Sequence, residues 1–283
     1  MKKILVPTDF SIYAESALRV AASLAKKHNG EIYLLHMLGL PMDLMSDSDT
    51  VPDSFGGGSA GGPPEAMFFM KMAHKRFQEV LSSDFLEGIT VHETIQNYRV
   101  FEGIIDAAHK NDVDLIVMGS QGASGAKEMI IGSNTEKVVR TSDVPVLVIK
   151  KEDETFDIND MVIPCEFTDE YKDSFMKSIA FANDINAKTH LLMVNTPNKF
   201  TTTAEAEERM NNFIQGTDLK NYTLNIYNDI SIEKGILNFS NTVKADIIAM
   251  STHGRKGLSH FFNGSLSEDL VNHAKRPVIT FKM

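Results

Sequence analysis

The sequence predicts an α/β protein of two tandem doubly wound domains, each a five-stranded parallel sheet with helices on both faces. Three observations lead to this prediction. Short apolar runs alternate along the chain with longer stretches whose apolar residues follow a helical period. The same order of segments occurs twice, and 283 residues are enough for two domains of ordinary size. Such alternation is typical of parallel strands joined by right-handed helical crossovers.

The repeat is visible in matched segments. Aligned on its proline, "KKILVPTDFS" (Lys2–Ser11) resembles "DMVIPCEFTD" (Asp160–Asp169) at an offset of 157 residues. Further along, "VDLIVMGSQG" matches "ADIIAMSTHG", and "VPVLVIK" matches "RPVITFK", at an offset of 132 residues. Copy one therefore carries 25 more residues than copy two, and these lie between Leu38 and Val113.

The extra residues fall in a stretch rich in glycine and proline, "GLPMDLMSDSDTVPDSFGGGSAGGPP" (Gly39–Pro64). This composition predicts a surface loop rather than a domain boundary. The loop is interpreted either as a lid over a ligand or as a passive insertion. The charged run "KEDETFDIND" (Lys151–Asp160) marks the boundary instead, so the predicted domains are residues 1–150 and 151–283.

The first two elements of copy one show the pattern in detail. The apolar run "ILVP" is typical of a buried parallel strand. The next segment, "SIYAESALRVAASLAKKHNG", predicts a helix that begins after Ser11 as N-cap and ends at Gly30. Its apolar stripe consists of Ala14, Ala17, Leu18, Ala21, Ala22, Leu24 and Ala25.

The remaining segments continue the alternation. In copy one, further helices are predicted at Met67–Leu86, "FEGIIDAAHKND" and "NTEKVVRTS", and strands at "EIYLLHML", "ITVHETI", "VDLIVMG" and "PVLVIK". Copy two has strands at "DMVIP", "HLLMVN", "YTLNIY", "ADIIAM" and "PVITF". The Met-rich segment Met67–Met72 is expected to pack on the sheet, with a partner-binding surface as the alternative.

Composition excludes several classes of function. The net charge of −10 leaves no broad basic face, so we expect no nucleic-acid partner. The single cysteine, Cys165, excludes an internal disulfide and a cysteine-based metal site. The nine histidines show no ligand spacing, and we predict no protein metal site. No apolar stretch approaches the ~18 residues of a membrane span, and a signal-peptide core is missing, so we expect a cytoplasmic protein without membrane contact.

A glycine pattern follows the fourth predicted strand of copy one. Gly119 and Gly122 are followed after nine residues by Gly132-Ser133, which begins a predicted helix. Glycines allow a tight turn whose N–H groups meet a phosphate, and a helix amino terminus favours an anion. The pattern differs from a Walker A loop and from the dinucleotide G-x-G-x-x-G pattern. The alternative is that the glycines serve turn and cap geometry only.

Asp9 follows the first predicted strand, whose carboxyl end lies at the same edge of the sheet. Its carboxylate is suited to accept hydrogen bonds from a ribose hydroxyl or a base edge. The alternative role is an N-cap of the first helix. No histidine, nucleophile or second carboxylate sits beside Asp9 in the sequence, so we predict no catalytic residue.

Together, "ILVPTDFS", "LLHM", "DLIVMG", the G-x2-G-x9-G-S pattern and "PVLVIK" resemble the universal stress protein family. The resemblance covers both copies and implies a tandem member. G-x2-G-x9-G-[S/T] is the pattern of members that bind ATP, and Mg²⁺ is expected only as a companion of the nucleotide. Family members pair through the last strand. Val146–Lys150 and Val278–Lys282 are therefore expected to form an internal pseudo-dimer, and a homodimer remains open.

The resemblance also implies a set of binding residues. Pro7, Thr8 and Asp9 are expected around the adenosine, with the backbone of Met37 against the adenine. The triphosphate is expected at two segments of the glycine pattern. These are Gly119, Ser120, Gln121, Gly122, Ala123, Ser124 and Gly125, and then Gly132, Ser133, Asn134 and Thr135.

Copy two departs from this pattern. Asp9 is replaced by Glu166, whose longer side chain is expected to intrude where the ribose or base lies. The first glycine is replaced by Ser251, which is tolerated only if its φ is negative. We therefore expect copy one to bind ATP better, with copy two weak, altered or purely structural. A weak or altered second site would consist of Val194, His253, Gly254, Arg255, Gly264 and Ser265.

Cys165 and His253 have two interpretations each, and His36 has one. Cys165 is more consistent with a small loop residue than with a redox-sensing thiol. His253 either meets a phosphate or lies solvated in its loop. His36 lies in an apolar strand and is interpreted as a hydrogen-bonded core histidine.

The sequence therefore predicts a stress-response regulatory protein that binds ATP mainly through residues 1–150. Two alternatives remain at this stage. One is an enzyme, a slow ATPase or phosphotransferase, although copy one shows no obvious base or nucleophile pair. The other is a nucleotide-free scaffold that acts through protein partners.

Overall fold

The computed structural model describes residues 1–38, 64–96, 99–121, 131–150, 156–252 and 270–283, without the side chains of 64–66. The predicted insertion therefore lies outside the described residues except for Pro64, and so does the first part of the predicted boundary run. No helix in these described ranges is long and apolar enough to span a membrane.

Strands and helices alternate in both halves of the chain. The first half contains β1 (Lys3–Thr8), α1 (Ile12–His28), β2 (Glu31–Met37), α2 (Pro64–Leu81), β3 (Thr90–Gln96), α3 (Val100–Lys110), β4 (Leu115–Gly119), α4 (Ser133–Thr141) and β5 (Val146–Ile149). The second half contains β6 (Asp160–Pro164), α5 (Lys172–Ile185), β7 (Lys188–Asn195), α6 (Thr203–Ile214), β8 (Tyr222–Asn228), α7 (Ile232–Thr242), β9 (Ile247–Thr252) and β10 (Val278–Lys282). Helical residues 270–273 precede β10.

All strands belong to one ten-stranded sheet, in the order β3-β2-β1-β4-β5-β10-β9-β6-β7-β8. Neighbouring strands are parallel within each half, which confirms the predicted α/β class with two five-stranded parallel sets. The two sets meet where β5 and β10 pair antiparallel, with Leu147 opposite Ile279. This is the pairing of last strands that the family resemblance implied, and it joins two expected sheets into one.

Helices cover both faces of the sheet. One face packs against α1, α2, α5 and α6, and the other packs against α3, α4, α7 and residues 270–273. Each core continues across the junction of the two halves. Leu147 and Ile279 belong to the first core, whereas Val146, Val148 and Val278 belong to the second. The halves therefore share both hydrophobic cores.

The first helix forms largely as its sequence predicts. The Ser11 side chain accepts from the Ala14 N–H, and the whole predicted apolar stripe is buried. The end of the helix differs from the prediction, because Asn29 takes the left-handed conformation with φ of 48°. Gly30 instead permits a close approach, since a Cβ there would lie 2.8 Å from the Lys2 carbonyl oxygen.

The second helix differs more clearly from its predicted range of Met67–Leu86. It ends at Leu81, and a separate 3₁₀ turn covers Asp84–Leu86. Ala73 and Phe77 are buried, whereas Phe68, Phe69 and Met72 are exposed. The prediction that the Met-rich segment packs on the sheet is therefore wrong, and the sheet contact begins one turn later.

In each half, an aspartate at the same repeat position links two neighbouring strands by hydrogen bonds. Asp114 Oδ2 accepts from the backbone N–H groups of Lys2 and Lys3, at 2.5 and 3.0 Å. Asp246 Oδ2 accepts from Asn159 and Asp160, at 2.8 and 2.9 Å. In each half one carboxylate therefore satisfies two N–H groups where the first strand begins.

Replacing Asp246 with alanine is expected to lower the free energy of unfolding by about 1–3 kcal/mol, because both N–H groups lose a charged acceptor. Urea denaturation monitored by circular dichroism measures the change. Asp218→Ala is the matched control, since Asp218 is 78% exposed and pairs only at 3.6 Å with Lys220. Equal midpoints for both variants would contradict the structural role of Asp246.

Candidate functional site

The space beyond the carboxyl ends of β1 and β4, here called the β1–β4 crevice, lies where the strand order changes direction. In the sheet order, the chain proceeds from β1 outward to β3 on one side and continues from β4 to β5 on the other. This topological switch point is where ligands bind in open α/β sheets. β1 pairs with β4 only at Ile4 and Leu5, whereas its pairing with β2 extends to Thr8. The carboxyl ends of β1 and β4 therefore diverge.

The turn after β1 lies at one side of this crevice. Thr8 Oγ1 accepts from the Phe10 N–H, and Asp9 Oδ1 accepts from the Ser11 N–H, each at 3.0 Å. Phe10 has a φ of 60°, so the chain turns sharply before α1. The alternative in which Asp9 is the N-cap of α1 is wrong, because Ser11 holds that position.

His36 supports the same turn from the neighbouring strand. Its Nδ1 lies 2.8 Å from the Thr8 carbonyl oxygen, which can only accept, so Nδ1 carries the proton. The ring also contacts Phe10, with 4.6 Å between centroids. The predicted hydrogen bond is confirmed, but His36 is half-buried and does not belong to the core.

The described ends of the glycine pattern meet at the other side of the crevice. The Gly132 N–H donates to the Ser120 carbonyl oxygen at 2.8 Å. Thr135 Oγ1 donates to the Gly119 carbonyl oxygen at 3.0 Å. The start of α4 is thereby fixed beside the end of β4, next to Gln121. Gly122, Ala123, Ser124 and Gly125 lie outside the described residues.

The amino terminus of α4 has the properties of an anion site. Gly132 is its N-cap and provides no side-chain acceptor. Helix geometry leaves the N–H groups of Ser133, Asn134 and Thr135 without intrahelical acceptors, and the helix dipole adds partial positive charge there. The first full backbone bond of the helix runs from the Glu136 N–H to the Gly132 carbonyl, at 3.0 Å.

Gly119 is required by space rather than by turn conformation. A Cβ at Gly119 would lie 2.7 Å from the Tyr13 carbonyl oxygen. Gly119 is not among the described glycines with positive φ. The tight-turn explanation is therefore wrong for this glycine, whose role is to let the first turn of α1 approach β4.

Met37 ends β2 at the same edge of the sheet, and its side chain packs against Gly103 of α3. Sequence reasoning missed this glycine. A matched contact joins Gly235 of α7 to Val194 of β7, where a Cβ would lie 2.5 Å from Val194 Cγ1. The signal was available, because Gly103 and Gly235 are separated by the repeat offset.

The second half contains an equivalent pocket between β6 and β9. Glu166, Val194 and Ser251 line it, together with Pro164, Cys165, Tyr171, Leu192, Met193, Asn195, Thr196, Lys199, Thr201, Arg209, Ile232, Ile236 and Met250. The turn after β6 repeats the first one, with Phe167 at a φ of 55°. His253, Gly254, Arg255, Gly264 and Ser265 lie outside the described residues.

Glu166 differs from Asp9 in its partner as well as in its length. Its Oε1 lies 3.0 Å from Lys199 Nζ, an ion pair inside the pocket. Asn195 positions the loop that carries Lys199, because its amide oxygen accepts from the Thr201 N–H at 2.9 Å. Sequence comparison did not identify Lys199, because its partner Glu166 is 33 residues away in the sequence.

Ser251 is accommodated by a change in the neighbouring helix. Its hydroxyl lies 2.8 Å from the hydroxyl of Ser174, which is fully buried. A 3₁₀ turn at Asp169–Tyr171 precedes α5, so this helix begins later than α1 does. Ser251 is not among the residues with positive φ, so the condition for tolerating a serine is met.

Cys165 is a half-buried, hydrogen-bonded thiol that packs against the first core. Its Sγ accepts from the Phe167 N–H at 3.2 Å. Burial raises the pKa of the thiol to about 12, and the nearby Glu166 carboxylate adds to the shift. These properties agree better with the interpretation as a small loop residue than with a redox-sensing thiol.

Replacing Gly119 with alanine is expected to lower the free energy of unfolding by about 1–3 kcal/mol, because the new methyl group meets the backbone of Tyr13. Ser251→Ala at the matched position is the control. It loses one hydroxyl contact, for about 1 kcal/mol or less. Urea midpoints compare the two variants, and a smaller loss for Gly119→Ala would contradict the close-approach role.

The native protein is expected to react with Ellman's reagent at pH 8 more slowly than the urea-unfolded chain by on the order of a thousandfold, because little thiolate exists below a pKa of about 12. The rate should rise with pH toward that value. The measurement reports on one site, since Cys165 is the single cysteine. Rapid labelling of the folded protein at pH 8 would show an accessible thiolate instead.

Comparisons with known proteins agree with this architecture. The model of the universal stress protein family matches residues 1–150 and 229–282. A universal stress protein of Synechocystis sp. is 22% identical over the full length of both chains. One from Methanocaldococcus jannaschii is 31% identical over 53% of this chain and 95% of its own. The crystal structure of a universal stress protein from Archaeoglobus fulgidus has a TM-score of 0.70 at 22% identity, covering 99% of this chain and 96% of that one. This chain belongs to the universal stress protein family.

Proposed function

We propose that this stress-response protein is a regulatory protein that binds ATP in the crevice between β1 and β4. One observation carries the proposal. The bonds from Gly132 to Ser120 and from Thr135 to Gly119 hold both ends of the G-x2-G-x9-G-S pattern at the topological switch point. The amino terminus of α4, which has no side-chain cap, thus begins beside the end of β4, in the region where α/β sheets bind ligands.

The adenosine would lie at the β1 side. Thr8 and Asp9 are ordered there by hydrogen bonds within the turn, and Pro7 precedes them in β1. One oxygen of Asp9 bonds to the Ser11 N–H, and we assign the carboxylate to a ribose hydroxyl. Met37 ends the neighbouring strand, so its backbone would meet the adenine.

The phosphates would lie at the β4 side. The N–H groups of Ser133, Asn134 and Thr135 supply partial positive charge without any lysine or arginine. Backbone groups after Gly119, including those of Ser120, Gln121 and Gly122–Gly125, would complete the cradle. A magnesium ion would accompany the nucleotide and be held mainly by its phosphates.

We infer that residues 1–150 and 151–283 act as two unequal domains, with ATP held mainly by the first. In the second domain, the Glu166–Lys199 ion pair occupies the position matched to the proposed ribose contact. The pocket there encloses about 90 Å³, below the about 300 Å³ at which small-molecule pockets begin. We assign the protein to the cytoplasm, where a reduced cysteine is stable.

Regulation rather than catalysis fits the geometry at Asp9. Asp9 Oδ1 accepts a hydrogen bond from the Ser11 N–H. The neighbouring His36 uses its Nδ1 to bond to the carbonyl oxygen of Thr8. Among the described residues, these contacts provide no base aimed at a phosphate. The protein would therefore signal through nucleotide occupancy and through its pairing with partners.

Asp9→Asn is expected to weaken ATP binding about tenfold, because the amide keeps one acceptor for the Ser11 N–H but lacks the second anionic oxygen. Isothermal titration calorimetry with Mg·ATP measures the affinity and the stoichiometry, which we expect to be one per chain. Glu166→Gln is the matched control. It makes the same chemical change at the equivalent turn and should leave the affinity of the first site unchanged.

Two results would overturn the proposed function. One is the absence of heat or nucleotide retention for the wild-type protein at millimolar ATP. The other is an affinity that falls equally in Asp9→Asn and Glu166→Gln, which would place the nucleotide outside the β1–β4 crevice. Two equivalent sites per chain would contradict only the assigned asymmetry.

A further inference from the structure

The second half of the chain makes a direct contact with the proposed phosphate segment of the first half. The Ile131 N–H donates to Asn272 Oδ1 at 2.9 Å. Ile131 immediately precedes Gly132-Ser133, and Asn272 lies in helical residues 270–273. A backbone N–H beside the proposed site is therefore satisfied by a side chain 141 residues away.

This contact is part of a closed ring of hydrogen bonds. The Ser120 N–H donates to the Ile149 carbonyl at 2.9 Å, and the Gly132 N–H donates to the Ser120 carbonyl at 2.8 Å. Lys150 Nζ donates to the carbonyl of Val271, the residue before Asn272. The ring thus links the ends of β4 and β5, the start of α4 and residues 270–273.

The other end of α4 is also held by the second half. Lys282 Nζ lies 3.5 Å from the carbonyl oxygen of Thr141, the last residue of α4. Lys150 and Lys282 occupy matched positions after β5 and at the end of β10, so each half reaches across to a helix of the other. The short helix that starts the phosphate segment is therefore fixed at both termini.

The junction around Ile131 is partly buried. The Ile131 side chain is 4% exposed and packs in the same core as Leu270 and Val271, whereas Asn272 and Lys150 are half-buried. Burial lowers the pKa of Lys150 to about 8. In such surroundings the Ile131 N–H has no easy replacement for the oxygen of Asn272.

We propose that Asn272 is a positioning residue for the ATP site of the first half, so that the second half controls the phosphate end of a site it does not line. This inference rests on the proposed function. Loss of the Asn272 oxygen would free the Ile131 N–H and let the start of α4 shift away from Ser120. The adenosine end, held by β1 and β2, would remain in place.

The test compares two ligands in matched variants. Asn272→Leu removes the acceptor with little change in volume. It is expected to weaken Mg·ATP binding about fivefold or more, while adenosine binding changes less than twofold, as measured by calorimetry. The control is His273→Ala, which alters the adjacent residue on the exposed face of the same helical turn and should leave both affinities unchanged. General destabilisation would weaken both ligands alike.

A second measurement uses the wild-type chain and needs no variant to fold. Coupling between sites is reciprocal, so saturating Mg·ATP should slow hydrogen exchange of the Ile131 amide about fivefold or more. If ATP binds but does not slow hydrogen exchange of the Ile131 amide, and Asn272→Leu leaves the ratio of ATP affinity to adenosine affinity unchanged, the role of Asn272 is overturned. The proposed ATP site then stands. If the wild type binds neither ATP nor adenosine, the proposed function fails and this inference fails with it.

Discussion

The antiparallel pairing of β5 with β10 is the constraint on which the rest of the structure depends. Each of these strands would otherwise be an open edge of a five-stranded sheet, and open edges promote aggregation. Pairing Leu147 with Ile279 covers both edges and extends both hydrophobic cores across the junction. It also reverses the strand direction of the second half. The carboxyl ends of the two parallel strand sets, and with them the two proposed sites, therefore lie at opposite ends of the strands of one sheet.

The two crevices share a backbone and differ in chemistry. Phe10 and Phe167 both turn the chain at positive φ after the first strand of their halves. The acidic residue directly before each phenylalanine then determines the polar contact of the turn. Asp9 bonds to its own turn, whereas Glu166 pairs with Lys199 across the pocket. A longer side chain, together with the nearby Lys199, therefore replaces a local hydrogen bond by a cross-pocket ion pair.

The sequence predicted what depends on local pattern. The repeat offsets located the strands, and the stripe of α1 and its Ser11 cap followed from helical periodicity. It failed where an outcome depends on tertiary contacts. The packing role of Gly119 was not predicted, because the approach of Tyr13 cannot be read from the sequence. Lys199 and Asn272 were missed for the same reason, since their partners are 33 and 141 residues away.

The two halves differ in their proposed sites, and α4 connects the proposed site of the first half to the second half. A site that depends only on its own half would be insensitive to the state of its neighbour. Here the start of α4 is bonded to Asn272 and its end approaches Lys282, so the geometry of one proposed site depends on how β5 and β10 meet. By linkage, any coupling between ligand binding at α4 and that junction acts on both by the same free energy. One chain can thus convert occupancy of a single site into a change in the contact between its two halves.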